Sequence, residues 1–120
     1  MRALVIDDSR AMRRIISKML VETGFEVTEA ENGADALEKL EAIGGAELAL
    51  VDWNMPIMNG LEFVQKVRAQ SEHDTMRLMM VTTETGAEEM TLALEAGADE
   101  YVMKPFTKDA ITEKIRMLGL

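Results

Sequence analysis

The sequence contains no cysteine, which rules out disulfide staples and thiolate metal sites from the start. It has no apolar run approaching the length of a membrane span. The ends, Met1-Arg2-Ala3 and Met117-Leu118-Gly119-Leu120, carry no signal peptide pattern, so the expectation is a cytoplasmic protein off the membrane. There is no internal repeat, low-complexity tract or linker-like stretch, and 120 residues suit one domain. Basic charge is scarce: 13 Lys and Arg stand against 22 Asp and Glu, for a net charge of −9. That deficit argues against nucleic-acid binding, which needs a basic face against the phosphates. It leaves open a basic partner or a divalent cation.

What is present is an alternation of two patterns. Short, continuously apolar runs recur at Ala3-Leu4-Val5-Ile6, Leu48-Ala49-Leu50-Val51 and Leu78-Met79-Met80-Val81. Strands without a polar face are buried on both sides, as in a parallel sheet. Phe25-Glu26-Val27-Thr28-Glu29 and Glu100-Tyr101-Val102-Met103 alternate more, as edge strands do. Between the runs lie helical spacings. Met12, Ile15, Ile16, Met19 and Leu20 predict one apolar stripe, with Arg10, Arg13, Arg14 and Lys18 on other faces and Gly24 as the stop. Ala36, Leu37, Leu40 and Ile43 mark a second helix between Asn32-Gly33 and Gly44-Gly45. Leu61, Val64 and Val67 mark a third, and Met90, Ala93 and Leu94 a fourth ending at Gly97. Thr107 caps a fifth that turns Ile111, Ile115 and Leu118 inward. The eleven methionines read mainly as flexible core filling. Phe25, Phe63 and Phe106 read as packing, and the lone His73 as a loop residue without a role.

Five strands alternating with five helices predict a doubly wound α/β domain with a five-stranded parallel sheet. Right-handed crossovers put all strand C-terminal ends on one edge, where such folds bind ligands. Asp7 and Asp8 follow the first strand, Asp52 the third, Thr82 the fourth and Lys104-Pro105 the fifth. Singly, each has a plain explanation: a helix cap, a strand residue, a solvated loop lysine. Together they converge. Crowded carboxylates repel one another, and a hard divalent cation such as magnesium relieves this with oxygen ligands. Such a cation, an ammonium, a hydroxyl and a carboxylate nucleophile make a site for a phosphoryl group. The three aspartates all remain candidates for the nucleophile. The central position of Asp52 favours it, whereas the adjacent Asp7 and Asp8 suit metal holding.

These residues resemble the receiver domain of two-component response regulators, and the single-domain chemotaxis type in particular. The likeness rests on Val5-Ile6-Asp7-Asp8-Ser9, Ala30-Glu31-Asn32-Gly33, Val51-Asp52-Trp53-Asn54-Met55-Pro56, Val81-Thr82, Glu95-Ala96-Gly97-Ala98 and Tyr101-Val102-Met103-Lys104-Pro105-Phe106. The resemblance implies a flavodoxin-like strand order of 2-1-3-4-5 and a receiver domain over residues 1–120. It selects Asp52 as phosphoacceptor. It implies Asp8, Asp52 and the Asn54 backbone carbonyl as direct magnesium ligands, with Asp7 acting through water. Lys104 then pairs with phosphoryl oxygens across a cis bond to Pro105, Thr82 is the switch hydroxyl, and Tyr101 turns inward with it. Asn54 and Glu84 flank the expected water approach and tune phosphate lifetime.

The implied partners are a histidine kinase as phosphodonor and a downstream protein on the fourth helix, last strand and last helix of a monomer. The implied activity is phosphorylation-switched signalling of the chemotaxis type, rather than an enzyme with its own diffusible substrate. Thr85-Gly86-Ala87-Glu88-Glu89 departs from the lysine-bearing stretch of enteric members, so a phosphate sink or a non-motor partner is the alternative. A haloacid-dehalogenase-like phosphatase is disfavoured, because the place of its second acid is held by Asn54.

Overall fold

The computed structural model describes residues 1–84 and 86–120; Thr85, named above with the fourth-helix segment, lies outside them. Strands β1 (Arg2–Ile6), β2 (Glu26–Ala30), β3 (Leu48–Val51), β4 (Arg77–Thr82) and β5 (Glu100–Met103) alternate with helices α1 (Arg10–Glu22), α2 (Gly33–Ile43), α3 (Gly60–Arg68), α4 (Ala87–Ala96) and α5 (Lys108–Met117). All strand pairs are parallel, and the order is β2-β1-β3-β4-β5, as expected from the resemblance.

The apolar runs explain the layers. Side chains alternate across a strand, so each run feeds two cores. Leu4, Ile6, Ala49, Val51, Leu78 and Met80 pack on one face with α2, α3 and α4 residues such as Leu40, Phe63, Val67 and Ala93. Ala3, Val5, Leu48, Leu50, Met79 and Val81 pack on the other with Ile16 and Leu20 of α1 and Ile111 and Ile115 of α5. Burying each such aliphatic or aromatic side chain is worth roughly 1.5–3 kcal/mol. Met76, Met79 and Met80 are fully buried, consistent with core filling, whereas Met1, Met103 and Met117 are exposed.

Local chemistry sets the helix starts. Ser9, Asn32, Asn59 and Thr107 each accept a backbone N–H from three residues on, and Asn59 with Glu62 forms a reciprocal capping box. Two stripe assignments do not hold. Ile15 and Leu94 are exposed, and α1 instead turns Ser17 inward beside Ile16 and Leu20. Ile15 and Ser17 flank Ile16 and lie about 200° apart around the axis, so a helix rolled to bury Ser17 beside Ile16 leaves Ile15 outside. His73 is no loop residue: Ser71–His73 form a turn of 310 helix, and His73 is half-buried, lining a cleft of about 400 Å³ with Leu37, Glu41, Gly44 and Gln70. None of the helices is long and apolar enough to cross a membrane, among the described residues.

Ile57 is a strained point in the loop between β3 and α3. Its φ is 68°, a left-handed value that a β-branched residue adopts only at a cost, and it is 83% exposed, so packing returns little. Ile57→Asn should therefore raise stability by about 1 kcal/mol, since Asn tolerates this conformation. An unchanged or lowered thermal unfolding midpoint would contradict that reading.

Candidate functional site

The parallel pairing of β1 with β3 places Ile6 opposite Val51, so the next residues, Asp7 and Asp52, end neighbouring strands together. The ladder continues one step further, with the Asp52 N–H donating to the Ile6 carbonyl at 2.9 Å and the Asp7 N–H to Ala30 at 3.1 Å. Both carboxylates are thus anchored at the backbone, and both are buried. Asp8 turns outward and is exposed. One carboxylate oxygen from each of Asp7, Asp8 and Asp52 lies within 4.8 Å of the others. The convergence expected of these three residues is present.

Lys104 comes from the far side of the site, just after β5, where its N–H donates to the Thr82 carbonyl at 2.8 Å. Its peptide bond to Pro105 is cis. The ammonium lies 2.7 Å from Asp7 Oδ2 and 3.6 Å from Asp52 Oδ2. It therefore sits closer to Asp7 than to the central carboxylate. Asp7 Oδ1 also accepts the Ser9 N–H at 2.9 Å. Burial first, and then the charge of Asp7, push the Asp52 carboxyl above the usual aspartate range, with Lys104 opposing both.

Thr82, Glu84 and Tyr101 form one chain of contacts beside the carboxylates. Thr82 is fully buried at the end of β4, and its Oγ1 accepts the Glu84 N–H at 3.2 Å. The buried Tyr101 donates its hydroxyl to the Glu84 carbonyl at 2.7 Å. Burial, followed by Glu84 and Glu89, raises the Tyr101 pKa. Asn54 Nδ2 donates to Glu84 Oε1 at 2.7 Å. The expected switch paired an inward Tyr101 with a Thr82 turned onto a phosphoryl group. Here Tyr101 is already inward while Thr82 is engaged with Glu84.

Two glycines hold the loop that follows Asp52. A Cβ on Gly60 would lie 2.1 Å from the Asp52 carbonyl oxygen, so only glycine permits this closeness of α3 to β3. A Cβ on Gly33 would meet Met58 Cγ at 2.7 Å, and the Gly33 N–H donates to the Met58 carbonyl at 3.0 Å. Arg13, expected only on a face of α1 other than the apolar stripe, also reaches the site. Its Nη1 donates to the Asp7 carbonyl at 2.7 Å. The available signal was its position one turn into α1, because helical side chains lean toward the N-terminus.

Three carboxylates with one oxygen each within 4.8 Å of the others are a donor set that fits magnesium. A buried hydroxyl and an ammonium beside them suit a phosphoryl group. Residues 3–116 match the response regulator receiver domain family, and the chain belongs to that family. Its relatives are of the chemotaxis type. It is 46% identical over 119 residues to chemotaxis protein CheY1 of Helicobacter pylori, covering 98% of this chain and 96% of that one. It is 47% identical over 116 residues to a CheY homologue of Campylobacter jejuni, covering 96% and 89%. The structure of CheY4 from Vibrio cholerae superposes with a TM-score of 0.90 at 33% identity, over 98% of this chain and 97% of that one. The chain is thus a receiver domain of the CheY type, a family of signalling modules.

A carboxyl with a raised folded-state pKa binds its proton more tightly when folded. It supports stability at low pH and loses that support as pH rises through the folded value. Asp52→Asn should therefore raise the unfolding midpoint in chelator at neutral pH. The gain should disappear below the ordinary carboxylate range, about pH 3–4. Melting curves across pH check this, and an equal gain at both ends would refute the electrostatic cause. Gly60→Ala should cost about 3 kcal/mol or more, from overpacking against backbone; chemical denaturation reads it, and a loss near zero contradicts the contact.

Proposed function

We propose that Asp52 accepts a phosphoryl group from a phosphohistidine donor and that the modified domain carries the signal to a protein partner. The observation that carries this is the meeting of three carboxylates within 4.8 Å with the Lys104 ammonium 2.7 Å from Asp7 and 3.6 Å from Asp52. A carboxylate nucleophile, a cation-binding oxygen set and a fixed positive charge are what phosphoryl transfer needs. Asp7, Asp8, Asp52 and the Asn54 backbone carbonyl would hold magnesium. Bound there, it supplies neutralisation of the charge on the phosphoryl oxygens.

In the transfer, a carboxylate oxygen of Asp52 forms the bond to phosphorus while the phosphorus–nitrogen bond to the donor imidazole breaks. The imidazole leaves with the electron pair and is reprotonated from solvent. Lys104 moves its charge onto the new phosphoryl oxygens. Thr82 leaves the Glu84 N–H and donates its hydroxyl to the same group. Because Glu84 also accepts from Tyr101 and Asn54, movement of Thr82 is transmitted to the loop before α4. Water later attacks phosphorus and the phosphorus–oxygen bond to the Asp52 carboxylate breaks, releasing inorganic phosphate and restoring Asp52. The Asn54–Glu84 pair flanks that approach and sets the lifetime. The chain acts on its own carboxylate and needs no diffusible substrate.

The output reading is a cytoplasmic monomer whose residues 1–120 form the receiver domain, with a histidine kinase upstream and a chemotaxis partner on the α4, β5 and α5 surface. A second reading has an observation in its favour. The first turn of α4 carries Glu88 and Glu89 and no lysine, which suits a phosphate sink or a non-motor partner.

Trp53 is the single tryptophan and adjoins Asp52, so its fluorescence reports on the site. Magnesium should change it, and a small acyl phosphate donor or beryllofluoride with magnesium should change it further. Asp52→Asn should incorporate no phosphate. No response and no incorporation in the wild-type chain would refute the reading; wild-type incorporation in the variant would move the acceptor elsewhere. Substituting Asn54 or Glu84 by Ala should alter the first-order loss of phosphate while incorporation persists. Unaltered decay in both would remove them from that role.

A further inference from the structure

We propose that Arg13 is a positioning residue for the cation site, acting through the Asp7 carbonyl; this rests on the reading of Asp7, Asp8 and Asp52 as cation ligands. Arg13 lies one turn into α1, and its backbone N–H closes that turn on the Ser9 carbonyl at 2.9 Å. Its side chain leans back over the preceding loop, as helical geometry directs. There Nη1 donates to the Asp7 carbonyl at 2.7 Å, a short charge-assisted bond. Nε lies 3.3 Å from Glu29 Oε1 on β2, and the side chain is only 14% exposed. The guanidinium is thus held at two points, the carbonyl just after β1 and a side chain of β2, and retains little freedom.

The bonded carbonyl belongs to the peptide that joins Asp7 to Asp8. That unit is planar, so fixing the carbonyl fixes the direction in which the chain enters Asp8. Asp7 has other anchors: Lys104 and the Ser9 N–H hold its carboxylate, and Ala30 holds its N–H. Asp8 is exposed and makes no ion pair among the described residues. Its carboxylate depends on the backbone that carries it, and Arg13 grips that backbone. Removing an outer group that orients a ligand costs roughly 10–100-fold in metal affinity.

Electrostatics gives a test of sign. An arginine this close to a cation site repels the cation, so simple loss of its charge would tighten binding. Glu29 compensates for that charge, and so the orienting effect prevails. Arg13→Ala should weaken binding despite removing a positive charge. Glu29→Gln should also weaken it, by leaving the guanidinium charge uncompensated while the amide oxygen still accepts from Nε. Arg13→Lys restores charge and one donor but not the fork, so its loss should be intermediate.

The experiment titrates each full-length chain with magnesium, read by Trp53 fluorescence and, independently, by the rise in thermal midpoint that a native-state ligand produces. Circular dichroism in chelator establishes that each variant is folded at the temperature of titration. The expected result is a dissociation constant about 10-fold higher for Arg13→Ala, with smaller increases for the other two. A residue that merely ties α1 to β2 would lower the midpoint in chelator without changing magnesium affinity of the folded protein. Affinity within twofold of wild type, or tighter, in Arg13→Ala overturns the proposal. If that variant does not fold, unchanged affinity in both Arg13→Lys and Glu29→Gln overturns it equally. A wild-type chain that gives no magnesium response overturns the cation-site reading and this inference with it, whereas a responsive wild type with unaffected variants overturns this inference alone.

Discussion

Asp7 and Asp52 end adjacent parallel strands in matched register, and the hydrogen-bond ladder that stabilises those strands also fixes how close the two carboxylates stand. Neither can retreat to solvent without breaking strand pairing, because both are buried and both are held by backbone N–H groups. Burial first, and then repulsion from Asp7, raise the pKa of Asp52. The neighbouring parts of the fold bear on it. Lys104 approaches from β5, Ser9 directs its N–H at Asp7, and Asp8 opens the cluster toward water. The site is poised because its charge is incompletely balanced, and an incompletely balanced anionic site attracts a cation.

The same edge also explains how a small chemical change can reach the surface. Thr82, Glu84, Tyr101 and Asn54 share one short series of hydrogen bonds in which Glu84 contributes its N–H, its carbonyl and its side chain. A residue engaged at three points responds to the loss of any one of them. Tyr101 already occupies the buried position, so on the proposed reading the step left to phosphorylation is the movement of Thr82 and Glu84. On that reading the contact between Thr82 and Glu84, rather than the aromatic side chain, is the element that switches.

Much of the fold was legible in the chain because binary pattern is a local property. The unbroken apolar runs of β1, β3 and β4 announced strands buried on both faces, and Asn32 and Thr107 announced helix starts. Where the reading failed, neighbouring positions competed for one surface. Ile15 lost its place to Ser17, and Leu94 faces solvent although Ala93 beside it is fully buried. Periodicity says that a stripe exists; which side of it meets the sheet depends on how the helix is rolled, and that is set by packing.

The sequence by itself determined the alternation of elements, the residue types at every strand end and the excess of acidic over basic charge. These follow from covalent order and side-chain chemistry. Only the tertiary structure decided that Lys104 stands nearer Asp7 than Asp52, that Tyr101 is inward while Thr82 is still held by Glu84, and that Arg13 grips the Asp7 carbonyl. Those are relations between residues as much as 97 positions apart. They depend on strand register and helix placement to within an ångström, and no local pattern encodes a distance of that kind. The convergence of Asp7, Asp8 and Asp52 lies between the two: topology made it expected, and register made it close enough to matter.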